Sequence, residues 1–167
     1  MKEYTGRQVF ALTFLRIVIG WHFLYEGLVK IFAPGGWTSE LFLANSVGPF
    51  SGIFKLIAAN TRLLAMVDQL NMWGLTIIGL GLFLGIFSKP FKIMAITLLS
   101  LYFLAYPSLA VYNVSVPVEG SYWIVNKNLI EIAALFVLFC FPVSQITGLD
   151  ALLKKRKNME INSMNSE

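Results

Sequence analysis

Three titratable side chains recur at intervals of four residues within one apolar segment. His22, Glu26 and Lys30 lie in "GWHFLYEGLVK" (20–30), and His22 is the only histidine in the chain. A spacing of four residues places side chains on one face of an α-helix. Imidazole and carboxylate groups that lie together can exchange protons, and an ammonium group can stabilise an anion. The pattern predicts a site for proton-coupled chemistry on this helix.

A second apolar segment carries a matching set of polar residues. In "NKNLIE" (126–131), Asn126 precedes Lys127 and Glu131, which are again four residues apart. At a rise of 1.5 Å per residue, Glu26, Glu131 and His22 should lie about 9, 12 and 15 Å below one face of a membrane. We predict that the two polar stripes meet there.

Two interpretations of these charges compete. In the first, Glu26–Lys30 and Lys127–Glu131 are ion pairs within single helices that only hold a bundle together. In the second, the two helices enclose an outward-facing pocket whose clustered groups move protons. We favour the second interpretation, because ion pairs that only hold the helices together would need neither a lone histidine nor an arginine in the middle of the membrane.

Arg16 is expected to extend the stripe of the first helix toward the middle of the membrane. Helical geometry places it with the other three charged residues of that segment within roughly a third of the helix circumference. Tyr102, on a third apolar segment, falls at a comparable predicted depth. A hydrogen bond between Tyr102 and Arg16 is therefore predicted.

The composition explains where such helices must lie. Hydrophobic residues make up 57% of the 167 residues, charged residues only 13%, and the mean hydropathy is +0.71. Soluble domains usually contain about 25% charged residues. The chain is therefore predicted to be an integral membrane protein. The net charge of +4 does not indicate nucleic-acid binding, because the basic residues do not share one amphipathic face.

Four apolar segments approach the length that crosses about 30 Å of hydrocarbon. The predicted spans are 9–32, 70–87, 91–111 and 123–146. Pro90, in an "SKP" turn, separates the second span from the third and makes them an antiparallel hairpin. Glycines spaced for close helix contact occur in the second span; they are Gly74, Gly79, Gly81 and Gly85. We predict an all-α, four-helix membrane domain over 1–153 and a basic, then polar, cytoplasmic tail over 154–167, which should be disordered after Lys157.

Lysine and arginine positions predict the orientation of the spans. Basic residues precede the first span, flank the "SKP" turn and follow the fourth span. With four spans these clusters share one side, which should be cytoplasmic and should hold both termini. Aromatic residues should mark the opposite interface; they are Trp37, Trp73, Tyr112, Tyr122 and Trp123.

The long connection 33–71 should lie on that opposite side. Its apolar residues follow a helical period from Phe50 to Ala58 and again from Leu63 to Leu70. This pattern predicts one or two amphipathic helices that rest on the bundle or on the membrane surface.

Missing residue types narrow the chemistry. One histidine cannot supply bis-histidine haem ligation, and Cys140 alone supports neither an iron–sulfur cluster nor an intramolecular disulfide. Cys140 itself is predicted to be a small buried side chain. No glycine-rich dinucleotide motif follows a strand, so NAD is not expected, and no metal is predicted.

The segments "RIVIGWHFLYEGLVKIFAPGGWTS" and "GSYWIVNKNLIEIAALFVLFCFP" resemble the DoxD/DoxX family, which includes the small-subunit type of thiosulfate:quinone oxidoreductase. The resemblance extends from Arg16 to about Asp150. It implies a four-helix protein of the bacterial inner membrane that exchanges electrons with the quinone pool. In the named enzyme, thiosulfate is oxidised to tetrathionate. That enzyme has two kinds of subunit, of which this chain resembles one, so the resemblance implies either direct contact between substrate and quinone or a second redox subunit.

We therefore expect a quinone-linked oxidoreductase subunit with a diffusible quinone as its cofactor. The predicted catalytic residues are His22, Glu26 and Glu131. The predicted residues for binding the anionic donor or the quinone are Arg16, Tyr25, Lys30, Tyr102, Asn126 and Lys127. Aromatic rings are expected to stack on the quinone; they are Phe23, Tyr25, Trp73 and Trp123.

A hypothesis of another class is a non-catalytic anchor or assembly partner for a periplasmic protein, which would dock on the amphipathic connection. An anion or proton transporter is less favoured, because four helices are few and no inverted repeat is visible. The expected partners are the lipid bilayer, a quinone, and a second redox subunit or periplasmic protein. Self-association stays open, and nucleic acid is not expected.

Overall fold

The structure, a computed structural model, describes residues 4–107 and 124–164. These residues form helices joined by short segments, without a β-sheet, so the predicted all-α class is confirmed for this part of the chain. The helices are α1 (Gly6–Ile31), α2 (Glu40–Ala44), α3 (Ser51–Ala59), α4 (Thr61–Leu84), α5 (Ser88–Ala105), α6 (Lys127–Cys140), α7 (Ser144–Thr147) and α8 (Leu149–Met164).

Helix α1 lies antiparallel to α4 at very short range. Gly20 of α1 faces the backbone of Phe83, near the end of α4, whereas Gly27 faces Thr76, nearer its beginning. Gly79 faces the backbone of Leu24. Because glycine has no Cβ, these positions let the two backbones approach more closely than larger residues would allow.

The glycine prediction for α4 is confirmed at three of four positions. Besides Gly79, Gly81 lies against the ring of Phe91, and Gly85 lies against Arg16. Gly74 has no neighbour in such close contact, so its predicted role in helix packing is wrong.

Helices α5 and α6 continue the antiparallel order. Asn71 near the start of α4 bonds to Tyr102 near the end of α5, with 2.5 Å between Asn71 Nδ2 and Tyr102 Oη. Lys92 near the start of α5 bonds to Leu138 near the end of α6, with 2.8 Å between Lys92 Nζ and the carbonyl oxygen. We call the end of the bundle that contains the α4–α5 turn the turn end, and the opposite end, where 33–60 lies, the loop end.

Three helices, α1, α4 and α5, are long and apolar enough to cross a membrane. Many of their large apolar side chains stay exposed, which is expected where lipid rather than protein covers them; examples are Phe10, Phe14, Trp21, Ile77 and Leu101. The chain thus has the character of a membrane protein.

The predicted fourth span, 123–146, is wrong in its length. Helix α6 has only 14 residues, which corresponds to about 21 Å. It begins at the cap Asn126, whose side chain accepts a hydrogen bond from the Leu129 amide at 3.0 Å. It ends before Pro142, because proline disfavours helical backbone in the residue that precedes it. The four-span bundle is therefore only partly supported by the structure.

The second span begins nine residues earlier than predicted. Asn60 caps α4, and its side-chain oxygen accepts from the amides of Arg62 and Leu63 at 3.1 and 3.2 Å. The apolar period from Leu63 to Leu70 thus belongs to the long helix α4. Helix α3 confirms the other predicted amphipathic helix.

The α4–α5 turn also differs from the expected one. Gly85 (φ 70°) and Phe87 (φ 44°) make the turn in left-handed conformations, and α5 begins at Ser88. Pro90 lies in the first turn of α5, where its missing amide hydrogen costs no helical hydrogen bond. The antiparallel hairpin is confirmed, but the turn precedes "SKP".

Two cations at the turn end bond to the last carbonyl groups of helices. Arg16 is buried, and its Nη1 donates to the carbonyl oxygens of Leu82 at 2.8 Å and Phe83 at 3.3 Å, at the end of α4. Lys92, fully buried, does the same for Leu138 in α6. The last carbonyls of a helix lack partners within it, and its C-terminus favours positive charge.

The opposite arrangement occurs at the start of α5. The Asp150 carboxylate, from α8, accepts from the amides of Phe87 at 2.9 Å and Ser88 at 3.3 Å. The Asp150 amide donates to the Gly85 carbonyl at 3.1 Å. Helix α8 is thereby fixed to the α4–α5 turn.

Both ends of the described chain lie at the turn end. The hydroxyl groups of Thr13 and Thr147 are 2.8 Å apart, and the rings of Tyr4 and Phe141 pack edge to face at 6.5 Å. Helix α8 continues to Met164, so the disordered tail predicted after Lys157 is wrong within the described range.

The connection between α1 and α4 lies on the loop end of α5. The amides of Val47 and Gly48 both donate to the Ala105 carbonyl, at 3.1 and 3.0 Å. Asp68 of α4 accepts from the Ser39 amide at 2.9 Å and from the Ser39 hydroxyl at 2.5 Å. Of the two predicted placements, on the bundle or on the membrane surface, residues 39–48 of this connection take the first.

Two smaller predictions have other outcomes. Cys140 is exposed on the surface of the bundle, so its predicted burial is wrong. Of the predicted aromatic belt, Tyr112, Tyr122 and Trp123 lie outside the described residues.

Candidate functional site

The centre of the site is a contact between His22 of α1 and Glu131 of α6. Their Nδ1 and Oε1 atoms are 2.8 Å apart. The His22 side chain is 43% exposed and that of Glu131 12% exposed. No described residue bonds to Nε2, the other ring nitrogen of His22. The pair thus presents one unoccupied imidazole nitrogen at an accessible surface, backed by a carboxylate that orients the ring.

Glu26 and Lys30 form the second pair of the site. Lys30 Nζ donates to Glu26 Oε2 at 2.7 Å and to the Glu26 carbonyl at 3.2 Å. The ammonium also lies 5.3 Å from the centre of the Trp37 ring, a cation–π distance. The predicted ion pair within α1 is confirmed, and Lys30 is the better buried of the two.

The matching ion pair predicted within α6 is wrong. Glu131 points across to His22 and makes no ion pair with Lys127. Lys127 is exposed, and it interacts electrostatically with both His22 and Glu26. Its positive charge therefore belongs to the site without being neutralised by a direct partner among the described residues.

Tyr102 lies at the loop end and not beside Arg16, so the predicted bond between them is wrong. It accepts instead from Asn71, and it interacts electrostatically with Glu26. Tyr102 thus borders the site, but from the α4–α5 side. Asn71 Oδ1 is buried and has no hydrogen-bond partner among the residues that the structure describes.

Arg16 is not part of the site. It lies six residues before His22 on α1, about 9 Å along the helix axis, and it is occupied by the carbonyls at the end of α4. Its predicted role in attracting a donor anion is replaced by a structural one.

Four other predicted residues take different positions. Asn126 uses its side chain to cap α6. Phe23 is 1% exposed in the core and cannot stack on a ligand. Tyr25 is exposed on α1, and Trp73 is likewise exposed on α4.

Sequence reasoning missed Asn71 and Asp68, because both lie in a stretch interpreted as a surface connection. The signal that could have found them is Asn60, a good N-cap residue directly before a helix-forming run. It also missed the structural role of Lys92, which had been counted only as a topology signal.

The site combines proton-exchanging groups with positive charge in apolar surroundings. An imidazole bonded to a carboxylate can take up or release a proton at its second nitrogen. Lys30 and Lys127 add positive charge nearby. Across 4–107 and 124–164, no three histidine, cysteine, aspartate or glutamate side chains are grouped to hold a metal ion.

In comparisons with known proteins, no protein-family model, no curated protein and no solved structure matches this chain.

Proposed function

We propose that the protein is a membrane-embedded subunit of a quinone-linked oxidoreductase, in which His22 and Glu131 transfer protons to or from a quinone. The observation that carries the proposal is the 2.8 Å contact between His22 Nδ1 and Glu131 Oε1, with Nε2 left without a partner. Reduction of a quinone to a quinol consumes two electrons and two protons. A polarised imidazole beside exposed apolar helices supplies protons where a lipid-soluble ring can reach.

The other polar residues have graded roles in this proposal. Glu26 is 44% exposed and relays protons between His22 and the aqueous phase. Lys30 and Lys127 attract an anionic donor or stabilise negative charge that develops on the quinone. Tyr102 borders the same region.

The proposed electron donor is a small anion such as thiosulfate, on the strength of the resemblance to the DoxD/DoxX family. Two thiosulfate ions join through one S–S bond to form tetrathionate and release two electrons, which equals the demand of one quinone. Electrons pass by direct contact or through a second redox subunit, because one histidine and one cysteine supply neither a bis-histidine haem site nor an iron–sulfur cluster.

The proposed location is the bacterial inner membrane, with the turn end on the cytoplasmic side. The turn end carries Lys89 and a basic run on α8 that includes Lys154 and Lys155. This excess of lysine follows the rule that positive charge stays inside. The site then lies toward the outer face.

Mass spectrometry of the detergent-extracted protein tests for a bound quinone, and quinone reduction with thiosulfate as donor tests the chemistry. We expect His22→Ala and Glu131→Gln to lose activity by about a hundredfold or more, as removal of a proton-transferring group does. Glu40→Gln is the matched control, since Glu40 is exposed on α2 outside the site. Unchanged activity in both site variants, or equal loss in the control, would exclude this site.

A second function, anchoring a periplasmic protein, is favoured by one observation. Helix α3 has no buried residue, and Ile53 and Leu56 on it are exposed. A stoichiometric partner that co-purifies, together with absence of quinone, would support this role. Loss of that partner in Leu56→Glu, with Lys55→Gln as control, would place the contact on α3.

A further inference from the structure

A pocket at the turn end lies apart from the site at the loop end. Its volume is about 430 Å³, and it is formed by the start of α5, by α7 and by α8. Lys89 and Lys154 line it, together with Phe87, Gln145 and Asp150. The proposed oxidoreductase chemistry uses none of these residues.

The two lysines in the pocket have no anionic partner within 4–107 and 124–164. Asp150 precedes Lys154 by four residues, a spacing that often gives an ion pair, yet no such pair forms. The reason is that both oxygens of the Asp150 carboxylate accept backbone amides of the α4–α5 turn. Within the described residues, Lys89 and Lys154 are likewise exposed and without a hydrogen-bond partner.

Buried cations behind the pocket add to its positive charge. Arg16 and Lys92 both interact electrostatically with Asp150, and Lys89 with Lys92. Four positive groups thus surround one carboxylate. The local excess of positive charge favours an anion at the mouth of the pocket.

Phe87 and Pro90 give the lining of the pocket an apolar part. Phe87, which lines the pocket, is 65% exposed, and Ile146 and Leu149, beside Gln145 and Asp150 in sequence, are exposed as well. The pocket also lies where α4 ends and α5 begins, both of which are candidate membrane spans. A ligand that fits here has an anionic group for the lysines and a hydrocarbon part for the apolar residues.

We propose that this pocket binds the phosphate headgroup of an anionic phospholipid, with its acyl chains against Phe87 and the neighbouring apolar residues. Basic pockets beside membrane helices hold such headgroups by charge and hydrogen bonds. A free phosphate ion shares the charge but makes no use of the apolar residues. The lipid is therefore the preferred source of the phosphate group.

Native mass spectrometry tests the proposal on the full-length protein in nanodiscs of phosphatidylcholine mixed with phosphatidylglycerol. We expect the wild-type chain to retain phosphatidylglycerol in preference to phosphatidylcholine. The double variant K89Q/K154Q should lose about thirtyfold in that preference, since each interfacial lysine contributes about fivefold. Inorganic phosphate at millimolar concentration should not displace the lipid.

Two control variants distinguish lipid binding in the pocket from a general attraction of anionic lipid to the basic protein. Lys155→Gln removes the same charge from the next residue of α8, which does not line the pocket, and Lys55→Gln removes it from α3 at the loop end. Each should change the preference by about twofold or less. Circular dichroism of all variants confirms that they fold alike.

Three results would overturn the proposal. They are equal retention of both lipids by the wild-type chain, a loss in Lys155→Gln as large as that in the double variant, and displacement of the lipid by phosphate. The last result would assign the pocket to a free anion.

Discussion

Charged side chains enter the helical bundle at both ends, but they bond to different partners there. At the turn end, Arg16 and Lys92 donate to the last carbonyls of α4 and α6, and Asp150 accepts the amides at the start of α5. At the loop end, His22 and Glu131 bond to each other, side chain to side chain. Burial follows the same division, since Arg16 and Lys92 are buried whereas His22 is half-exposed.

This difference separates structural charge from available charge. A buried cation that bonds to a helix terminus is shielded from ligands by the surrounding protein, and its removal leaves buried carbonyl groups without a hydrogen-bond partner. An accessible pair of side chains contributes little to stability but can exchange protons with a ligand. We therefore expect variants at the turn end to act on stability and variants at the loop end to act on function.

The largest effect on stability is expected for Gly85→Ala at the turn end. Gly85 has φ 70°, and a Cβ there would collide with Arg16 and Gly148. Backbone strain and overpacking together should lower the free energy of unfolding by about 3 kcal/mol. Thermal unfolding in detergent measures this loss. Gly74→Ala is the matched control on the same helix, because its Cβ meets open space. Equal stability of the two variants would contradict the close packing of the turn end.

Arg16→Met should have the next largest effect. It preserves much of the side-chain volume but removes the donor to the Leu82 and Phe83 carbonyls. Charge-assisted hydrogen bonds of this kind contribute about 2 kcal/mol. Unfolding by denaturant in detergent measures the loss, with Arg62→Met, at an exposed position on α4, as the control. The folded fraction of this variant should bind as much quinone as the wild type. A loss of bound quinone would show that Arg16 belongs to the site after all.

The smallest effect on stability is expected for the His22–Glu131 pair. A double-mutant cycle with His22→Gln and Glu131→Gln should give a coupling energy of about 1 kcal/mol or less, because the imidazole is half-exposed. The same unfolding experiment measures it. A coupling energy of about 3 kcal/mol would instead mark the pair as a structural element, like those at the turn end.

Contacts within one helix could be predicted from spacing, whereas contacts between helices could not. Glu26 and Lys30 pair as predicted because their geometry is local. The same rule failed for Lys127, since His22 from another helix bonds to Glu131 instead. Spacing alone carries no information about such competition.

Depth in the bundle depends on where the neighbouring helices end. Arg16 was predicted to lie in mid-membrane by counting along α1, but α4 ends beside it at Gly85. Capping residues in the sequence predict the ends of these helices better than the length of the apolar segments does. Asn60 marks the start of α4, and Asn126 and Pro142 mark the limits of α6.

The shortness of α6 has a consequence for the lipid around it. With 14 residues, it is about 21 Å long, about 9 Å shorter than a normal hydrocarbon layer. Hydrophobic mismatch of this size is relieved by local thinning of the bilayer. Headgroups and water are then drawn toward α6, and Glu131 lies only one helical turn beyond its first residue, Lys127. In the proposed function, a lipid-soluble ring and water would both reach the His22–Glu131 pair at this position.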